Sequence, residues 1–210
     1  MDIFVIWETQ NLTLRTIEHL RMFGISLILS ILIGITVGFC LYRHQKLATI
    51  TLNVLNIIEV IPTLALLVLF IPILGIGEEP TIAASVLYSI LPIARNTYVG
   101  LITVDKSYID VAEAMGMRER DILLKIRFPL SLPLIAAGVR IAVVFTMGVI
   151  TLGGIIAAGG LGAPIQTGIH MYDKDIILVA GLWVGILALI LDGFAAVLEK
   201  YLRGRYHGAD

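Results

Sequence analysis

Apolar runs long enough to cross a bilayer alternate with polar connectors along this chain. A spanning helix needs about 20 apolar residues, and the runs predict about five such helices, at 22–41, 47–76, 81–104, 130–158 and 176–198. The second run contains Pro62, and proline kinks a helix because it removes an amide donor and clashes with the preceding turn. We expect one kinked, tilted span there, since a hairpin of two short spans would leave backbone groups unpaired in lipid.

The composition agrees with this pattern. Of the 210 residues, 58% are hydrophobic and 15% are charged, whereas a soluble domain carries about 25% charged residues. The sequence therefore predicts an all-α polytopic membrane protein. We expect residues 1–21 to form an extracytoplasmic or interfacial segment with a short helix. The transmembrane domain is expected at 22–200 and a cytoplasmic tail at 201–210.

The basic residues predict the orientation of the spans. Lysine and arginine are concentrated in the connectors after the first, third and fifth predicted spans, and only Arg15, Arg21 and Lys174 lie in the opposite set of segments. Cytoplasmic connectors carry the excess of basic residues in membrane proteins. We therefore expect the N-terminus outside the cell and the C-terminus in the cytoplasm.

Several functions are excluded or disfavoured by the residue types. The net charge of −1 offers no basic face for nucleic acid, and the four histidines are dispersed without the spacing of metal ligands. The chain has no G-x-x-x-x-G-K-[ST] phosphate loop, so we do not expect it to hydrolyse ATP. We predict no catalytic residue, no metal and no cofactor.

The longest polar stretch, 105–129, lies between the third and fourth predicted spans. Ser107 and Asp110 match a capping box at the start of a helix, and Gly116 is suited to the left-handed residue that ends one. A second amphipathic stretch begins at Arg118 and is expected to end before Pro129. This segment either rests on lipid headgroups or docks a soluble partner.

The stretch resembles the EAA loop of ABC importer permeases. The family pattern is E-A-A, three residues, G, nine residues and I-x-L-P, and this chain has DVA, three residues, G, nine residues and IRFP at 110–129. Asp110, Val111 and Phe128 depart from the pattern. The resemblance implies that a helix here couples the permease to an ATPase, through Asp110, Val111, Ala112, Ala114, Gly116, Ile126 and Pro129.

Three further segments resemble one branch of these permeases, which imports quaternary-ammonium osmoprotectants such as glycine betaine, carnitine and choline. They are IPTLALL at 61–67, LPIARNTY at 91–98 and AGGLG at 158–162. The resemblance implies a second permease chain, identical or homologous, two ATPase subunits and an extracytoplasmic substrate-binding protein. A permease for methionine or another amino acid is the nearest alternative. An ATP-independent channel or secondary carrier is an alternative of another class, and no nucleophile and base suggest an intramembrane hydrolase.

Three charged residues lie well inside predicted spans, Glu59, Arg95 and Arg140, and Asp192 lies near the end of the fifth. Such residues are unfavourable in hydrocarbon and face protein or water. Because Glu59 and Arg140 lie at similar predicted depth, we expect them to pair, either as a packing contact or as part of the transport pathway. The aromatic residues of the spans form no cluster in the sequence, and most are interpreted as packing or interfacial residues.

Gly159, Gly160 and Gly162 lie near the outer end of the fourth predicted span. Glycines allow close helix contacts and unusual turns. They could form a flexible loop, but the resemblance implies an extracytoplasmic gate.

Overall fold

The computed structural model describes residues 2–206, and this part of the chain is helical with no strand. Met1 and residues 207–210 of the predicted tail lie outside the described residues. The α-helices are α1 (Ile3–Thr9), α2 (Leu12–Leu41), α3 (Gln45–Val60), α4 (Thr63–Leu74), α5 (Glu78–Ile102), α6 (Lys106–Ala114), α7 (Glu119–Ile122), α8 (Phe128–Gly153), α9 (Gly162–Met171) and α10 (Lys174–Tyr206).

Helix α5 is the centre of the bundle, and α2 packs closely along it. The small residues Ser26, Ser30, Gly34 and Gly38 recur at every fourth position of α2, and all four are buried. A Cβ atom on Gly34 would lie 2.7 Å from the Cβ of Ile93 on α5. Small residues at this spacing let two helices approach closely where no hydrophobic effect drives them together.

The first long helix begins earlier than the predicted span. Helix α2 starts at Leu12 rather than at Met22, after the short predicted helix, which is α1. Two contacts hold this early part of the chain against α10: the Trp183 Nε1 donates to the Thr16 Oγ1 at 2.9 Å, and the Trp7 and Trp183 rings meet edge to face at 5.1 Å. Residues 12–21 thus continue the helix that contains the predicted span.

The break at Pro62 is larger than a kink. Helices α3 and α4 meet there at 96°, so the single kinked span that we expected is a broken pair. The Tyr88 hydroxyl of α5 donates a hydrogen bond to the carbonyl of Ile61 at the break. This contact satisfies a backbone acceptor that would otherwise be unpaired in the membrane.

Three continuous helical stretches in residues 2–206 are long and apolar enough to cross a bilayer: Leu12–Leu41, Glu119–Ile156 and Lys174–Tyr206. The broken pair α3 and α4 makes a fourth candidate. Helix α5, the predicted third span, is not among them. Because most of α5 is covered by neighbouring helices, its surface has less need to be apolar, and it carries Glu78, Glu79 and Arg95.

The prediction that the second amphipathic stretch ends before Pro129 is wrong. Helix α7 passes through a π-helical turn at Leu123–Arg127 directly into α8. Pro129 lies at the start of α8, where the wider π turn accommodates a residue that cannot donate to the preceding turn. The last part of the connector between α5 and α8, α7 with the π turn, is therefore continuous with α8.

Candidate functional site

The α5–α8 connector, defined as residues 103–127, begins with a well-capped helix. The Asp105 carboxylate accepts a hydrogen bond from the Ser107 amide at 2.8 Å, so Asp105 is the N-cap of α6. The hydrogen bond from this backbone amide lowers the pKa of the Asp105 carboxyl. The predicted capping box of Ser107 and Asp110 is wrong. The N-cap is two positions earlier than predicted, because Asp105 already accepts the hydrogen bond from the Ser107 amide.

The predicted stop of α6 is confirmed. Gly116 has a φ of 75°, and the Met117 amide donates to the Ala112 carbonyl at 3.1 Å. A glycine in this left-handed conformation ends a helix without the steric penalty of a Cβ atom.

The motif residues of the connector face different ways. Ala112 is buried and Ala114 is exposed, so only one of the two small residues is on the surface. Asp110 and Gly116 are exposed, and Ile126 and Pro129 are partly buried. Val111 is 61% exposed.

Helix α6 presents an apolar face to solvent. Tyr108, Val111 and Met115 are all more than half exposed. Between α6 and the start of α8 lies a groove of about 640 Å³. It is lined by Tyr108, Val111, Ala112, Met115, Ile126 and Pro129, among others. This apolar face, Tyr108, Val111 and Met115, is called the α6 face below.

Polar contacts tie the connector to the ends of two long helices. The Arg127 Nη1 donates to the Leu101 carbonyl at the end of α5, at 2.8 Å. Arg43, just after α2, forms an ion pair with Glu119 of α7. Sequence reasoning missed both contacts because the partners are far apart in the chain.

A second cluster lies at the opposite end of α2. The glycine loop, residues 157–161, turns through left-handed Gly159 and Gly160, with φ values of 81° and 60°. The Gly160 amide donates to the Glu18 Oε2 at 2.9 Å, and the Leu161 amide donates to the His19 Nδ1 at 3.3 Å. Glu18 and His19, which we call the α2 clamp, were not singled out from the sequence because neither belongs to a motif.

Gly162 has a different role from the two glycines before it. A Cβ atom on Gly162 would lie 2.0 Å from the Thr151 carbonyl oxygen, and one on Gly154 would lie 2.3 Å from the Gly162 carbonyl carbon. The two backbones therefore pack directly against each other at the end of α8. Of the three predicted gate residues, Gly159 and Gly160 form the turn and Gly162 permits this close packing.

The expected pair of Glu59 and Arg140 is wrong. Arg140 instead forms a bidentate contact with Asp192 of α10, at 2.8 Å and 3.0 Å, and reaches Glu199 at 3.4 Å. Similar depth was an insufficient criterion, because α8 turns Arg140 toward α10. Arg95 has a different partner again: its Nη2 donates to the Asn56 Oδ1 at 2.7 Å.

Glu59 lies in a cavity of about 560 Å³ near the broken pair α3 and α4. The cavity brings together Tyr88 of α5 and Phe145 of α8, which showed no clustering in the sequence. The lining residues are Glu59, Thr63, Tyr88, Val144, Phe145, Gly148, Val149, Thr151 and Leu152.

Within residues 2–206, no group of three or more His, Cys, Asp or Glu side chains could hold a metal ion. The arrangement offers a membrane cavity and a solvent-facing apolar helix. These features suit transport and docking.

The comparisons with known proteins agree with this arrangement. Residues 30–204 match the family described as binding-protein-dependent transport system inner membrane component. The chain is 37% identical over 192 residues to the choline transport system permease protein OpuBB of Bacillus subtilis, covering 91% of this chain and 88% of that protein. It is 36% identical to the carnitine transport permease protein OpuCB of Listeria monocytogenes, and the match covers 91% of this chain and 88% of that protein.

A third relative and two solved structures extend the comparison. The osmoprotectant import permease protein OsmW of Salmonella typhimurium is 35% identical, with 89% of each chain covered. An inward-facing structure of the MetNI methionine ABC transporter has a TM-score of 0.80 at 26% identity, covering 91% of this chain and 96% of that one. A crystal structure of an amino acid ABC transporter with histidines shares the fold, with a TM-score of 0.73 at 13% identity. The match covers 96% of this chain and 99% of that one.

These matches confirm the resemblance that the connector motif indicated. Together with the apolar helices, they make the protein a multi-pass inner membrane permease, and the chain belongs to the family of binding-protein-dependent transport system inner membrane components.

Proposed function

We propose that this chain is the permease subunit of an ATP-driven importer of quaternary-ammonium osmoprotectants such as glycine betaine, carnitine or choline. The observation that carries the proposal is the agreement among the relatives reported above, whose names specify choline, carnitine or osmoprotectant transport. A methionine or amino-acid permease is the second candidate, favoured by the likeness in fold to the MetNI transporter. An ATP-independent channel or secondary carrier is disfavoured by membership in a binding-protein-dependent family.

In the proposed topology the chain crosses the membrane five times, with the broken pair α3 and α4 as the second span and α5 as the third. The N-terminal segment, 1–21, lies outside or at the interface, 22–200 forms the permease domain, and 201–210 lies in the cytoplasm. The distribution of lysine and arginine supports this orientation. It places the α5–α8 connector in the cytoplasm and the glycine loop outside.

In the proposed mechanism the α6 face docks into a groove on an ATPase subunit, one for each of two permease chains. Asp110, Val111, Ala112, Ala114, Gly116, Ile126 and Pro129 form the docking segment by resemblance. The continuity of α7 with α8 through the π turn supports this role, since a partner that moves the connector would move α7 and the long helix together.

On the opposite side, a substrate-binding protein would deliver its cargo near the glycine loop. Gly159, Gly160 and Gly162 would form a gate against a second permease chain. Glu59 would line the pathway. Arg140, held by two carboxylates, and Arg95, bound to Asn56, would hold helices in place.

One co-purification tests the proposal. The full chain is expressed with the candidate ATPase and binding protein, purified by a tag on the permease, and assayed for ATP-dependent choline and glycine betaine uptake in proteoliposomes. We expect the ATPase to co-purify and deletion of 107–116 to abolish both co-purification and uptake. If no ATPase is captured and the deletion leaves uptake unchanged, the proposal is wrong.

A further inference from the structure

Glu59 is the charged residue of the membrane cavity. Among the described residues that line it, the others are hydroxyl, aromatic, aliphatic or glycine residues. Arg95 and Arg140 are not among them, and each has a partner elsewhere, Asn56 for Arg95 and two carboxylates for Arg140. The described lining therefore carries one negative charge and no cation, and Arg95 lies outside it on Asn56, one helical turn before Glu59.

Two aromatic side chains also line the cavity. Tyr88 is almost buried, at 6% exposure, and its hydroxyl is held by the Ile61 carbonyl. Phe145 is partly buried and comes from α8, on another side of the cavity. A quaternary ammonium has no N–H to donate, so aromatic faces and a nearby negative charge are what recognise it. The volume of about 560 Å³ lies within the usual range for small-molecule sites, about 300–1,000 Å³.

Two of the three hydroxyl groups in this cavity already donate their protons within the protein. Tyr88 gives its proton to the Ile61 carbonyl, and Thr151 gives its proton to the Met147 carbonyl at 2.7 Å, so each retains only lone pairs for a ligand. The Thr63 hydroxyl is the one that can still donate. Such a site can accept a hydrogen bond from an alcohol, whereas a carboxylate would meet a single hydroxyl donor and would be repelled by Glu59.

We propose that this cavity is a subsite for quaternary-ammonium cations and that Glu59 selects substrates with a net positive charge. On this basis a quaternary-ammonium alcohol such as choline is preferred over the zwitterions glycine betaine and carnitine, whose carboxylates meet the charge of Glu59 and no cation among the lining residues. The inference rests on the proposed function, because it presumes that the permease conducts these compounds.

The open side of the cavity is compatible with passage of a ligand. Val144 is 52% exposed, and a Cβ atom on the nearby Gly148 would meet nothing within 4 Å. A ligand can therefore enter from the side of α8 that no described helix covers.

The test compares two substrates in one complete transporter. The permease, its ATPase and one binding protein that delivers both choline and glycine betaine are reconstituted in proteoliposomes, and the maximal uptake rate of each substrate is measured. The variants are Glu59→Gln, Glu59→Asp and, as a control for loss of an exposed glutamate outside the cavity, Glu8→Gln.

We expect the wild type to favour choline. Glu59→Gln is expected to lower choline uptake about tenfold and to leave glycine betaine uptake unchanged or raised, since a charge contact of this kind amounts to about one factor of ten. Glu59→Asp keeps the preference for choline, and Glu8→Gln changes neither rate. Equal loss of both substrates, or no loss of either, in Glu59→Gln overturns the inference.

A second variant tests the aromatic contribution. Phe145→Leu removes an aromatic face but keeps an apolar side chain, so uptake of both substrates is expected to fall several-fold, because both carry the trimethylammonium group. If Phe145→Leu changes neither rate, the cavity is not the subsite. If the wild type shows no ATP-dependent uptake of either compound, the proposed function fails and the inference fails with it. Uptake of glycine betaine in preference to choline overturns the inference alone.

Discussion

The two ends of α2 contact two regions that are held in opposite ways. The helix has 30 residues, so its ends lie about 45 Å apart. At its start, the α2 clamp and close backbone packing hold the glycine loop from within the chain. Beyond its end, Arg43 holds the α5–α8 connector by an exposed ion pair, and the apolar α6 face has no covering element in the described chain. The glycine loop is satisfied internally, whereas the connector leaves apolar surface for another molecule.

This difference predicts which substitutions reduce stability and which reduce coupling. Changes in the glycine loop, in the α2 clamp or at the adjoining Gly162 should lower the amount of folded protein. Changes on the α6 face should leave the fold intact and remove a partner. The following experiments test this distinction.

The largest effect is expected for Gly162→Ala. Its Cβ atom would lie 2.0 Å from the Thr151 carbonyl oxygen, and backbone cannot move aside as a flexible side chain can, so we expect a loss of roughly 3 kcal/mol or more. Thermal unfolding of the purified chain measures this. Gly181→Ala is the matched control, since a Cβ there meets nothing within 4 Å. Equal unfolding temperatures for both variants would contradict the close packing.

Met115→Glu should remove the ATPase without unfolding the permease. Met115 is 75% exposed, so the charge is hydrated in the free chain but would be buried unpaired in an apolar groove of a partner. We expect co-purified ATPase to fall at least tenfold, with an unchanged unfolding temperature.

Met171→Glu is the control for this substitution, because Met171 is also exposed, at 67%, but lies near the glycine loop end of the molecule. ATPase capture should be normal in this variant. Loss of the ATPase in both variants would mean that the effect is not specific to the α6 face.

Removal of the α2 clamp should have an intermediate effect. His19→Ala takes away the acceptor of the buried Leu161 amide, and a buried donor without a partner costs about 1–3 kcal/mol. His19→Asn offers a carbonyl oxygen in a similar position and should recover part of the stability. Thermal unfolding of the two variants is the measurement, and an Ala variant as stable as the Asn variant would show that the clamp contributes little.

The smallest effect is expected at the N-cap of α6. Because folding lowers the pKa of the Asp105 carboxyl, its stabilisation of the helix is present above the ordinary carboxyl pKa and is lost as the pH falls through the lowered value. After correction for the intrinsic pH dependence of amide exchange, the first amides of α6 should show a few-fold lower protection from hydrogen exchange at low pH than at neutral pH. Asp105→Asn should remove this change in protection. If protection in the wild type is the same at low and neutral pH, the cap does not stabilise α6.

Local patterns predicted much of the fold and of the connector. The apolar runs marked most of the long helices, and a bend at Pro62 and the stop at Gly116 followed from backbone properties of single residues, although the angle of 96° at Pro62 is larger than the expected kink. The start of α6 at Asp105 and the junction at Pro129 were misassigned, because another residue supplied the cap and a π turn accommodated the proline. Both errors arose where more than one residue or backbone conformation could satisfy the hydrogen-bonding groups of the same helix end.

Contacts between distant residues were not predictable in the same way. Arg140 and Asp192 are 52 positions apart, and Glu18 and Gly160 are 142 apart. The depth of a residue in its helix gives its height but not the direction in which its side chain points. That direction depends on how neighbouring helices pack.

By itself, the sequence determined that the chain is a membrane protein and, through one motif of fixed spacing, which family it belongs to. The first is a property of composition, and the second is the resemblance of one motif to a known family, which the comparisons confirm. Tertiary structure alone decided that Arg140 is neutralised by α10, that the α2 clamp holds the glycine loop, and that Glu59 shares a cavity with Tyr88 and Phe145. The physical reason is that burial, charge compensation and cavity shape depend on the relative rotation of helices, and packing of the whole bundle sets that rotation.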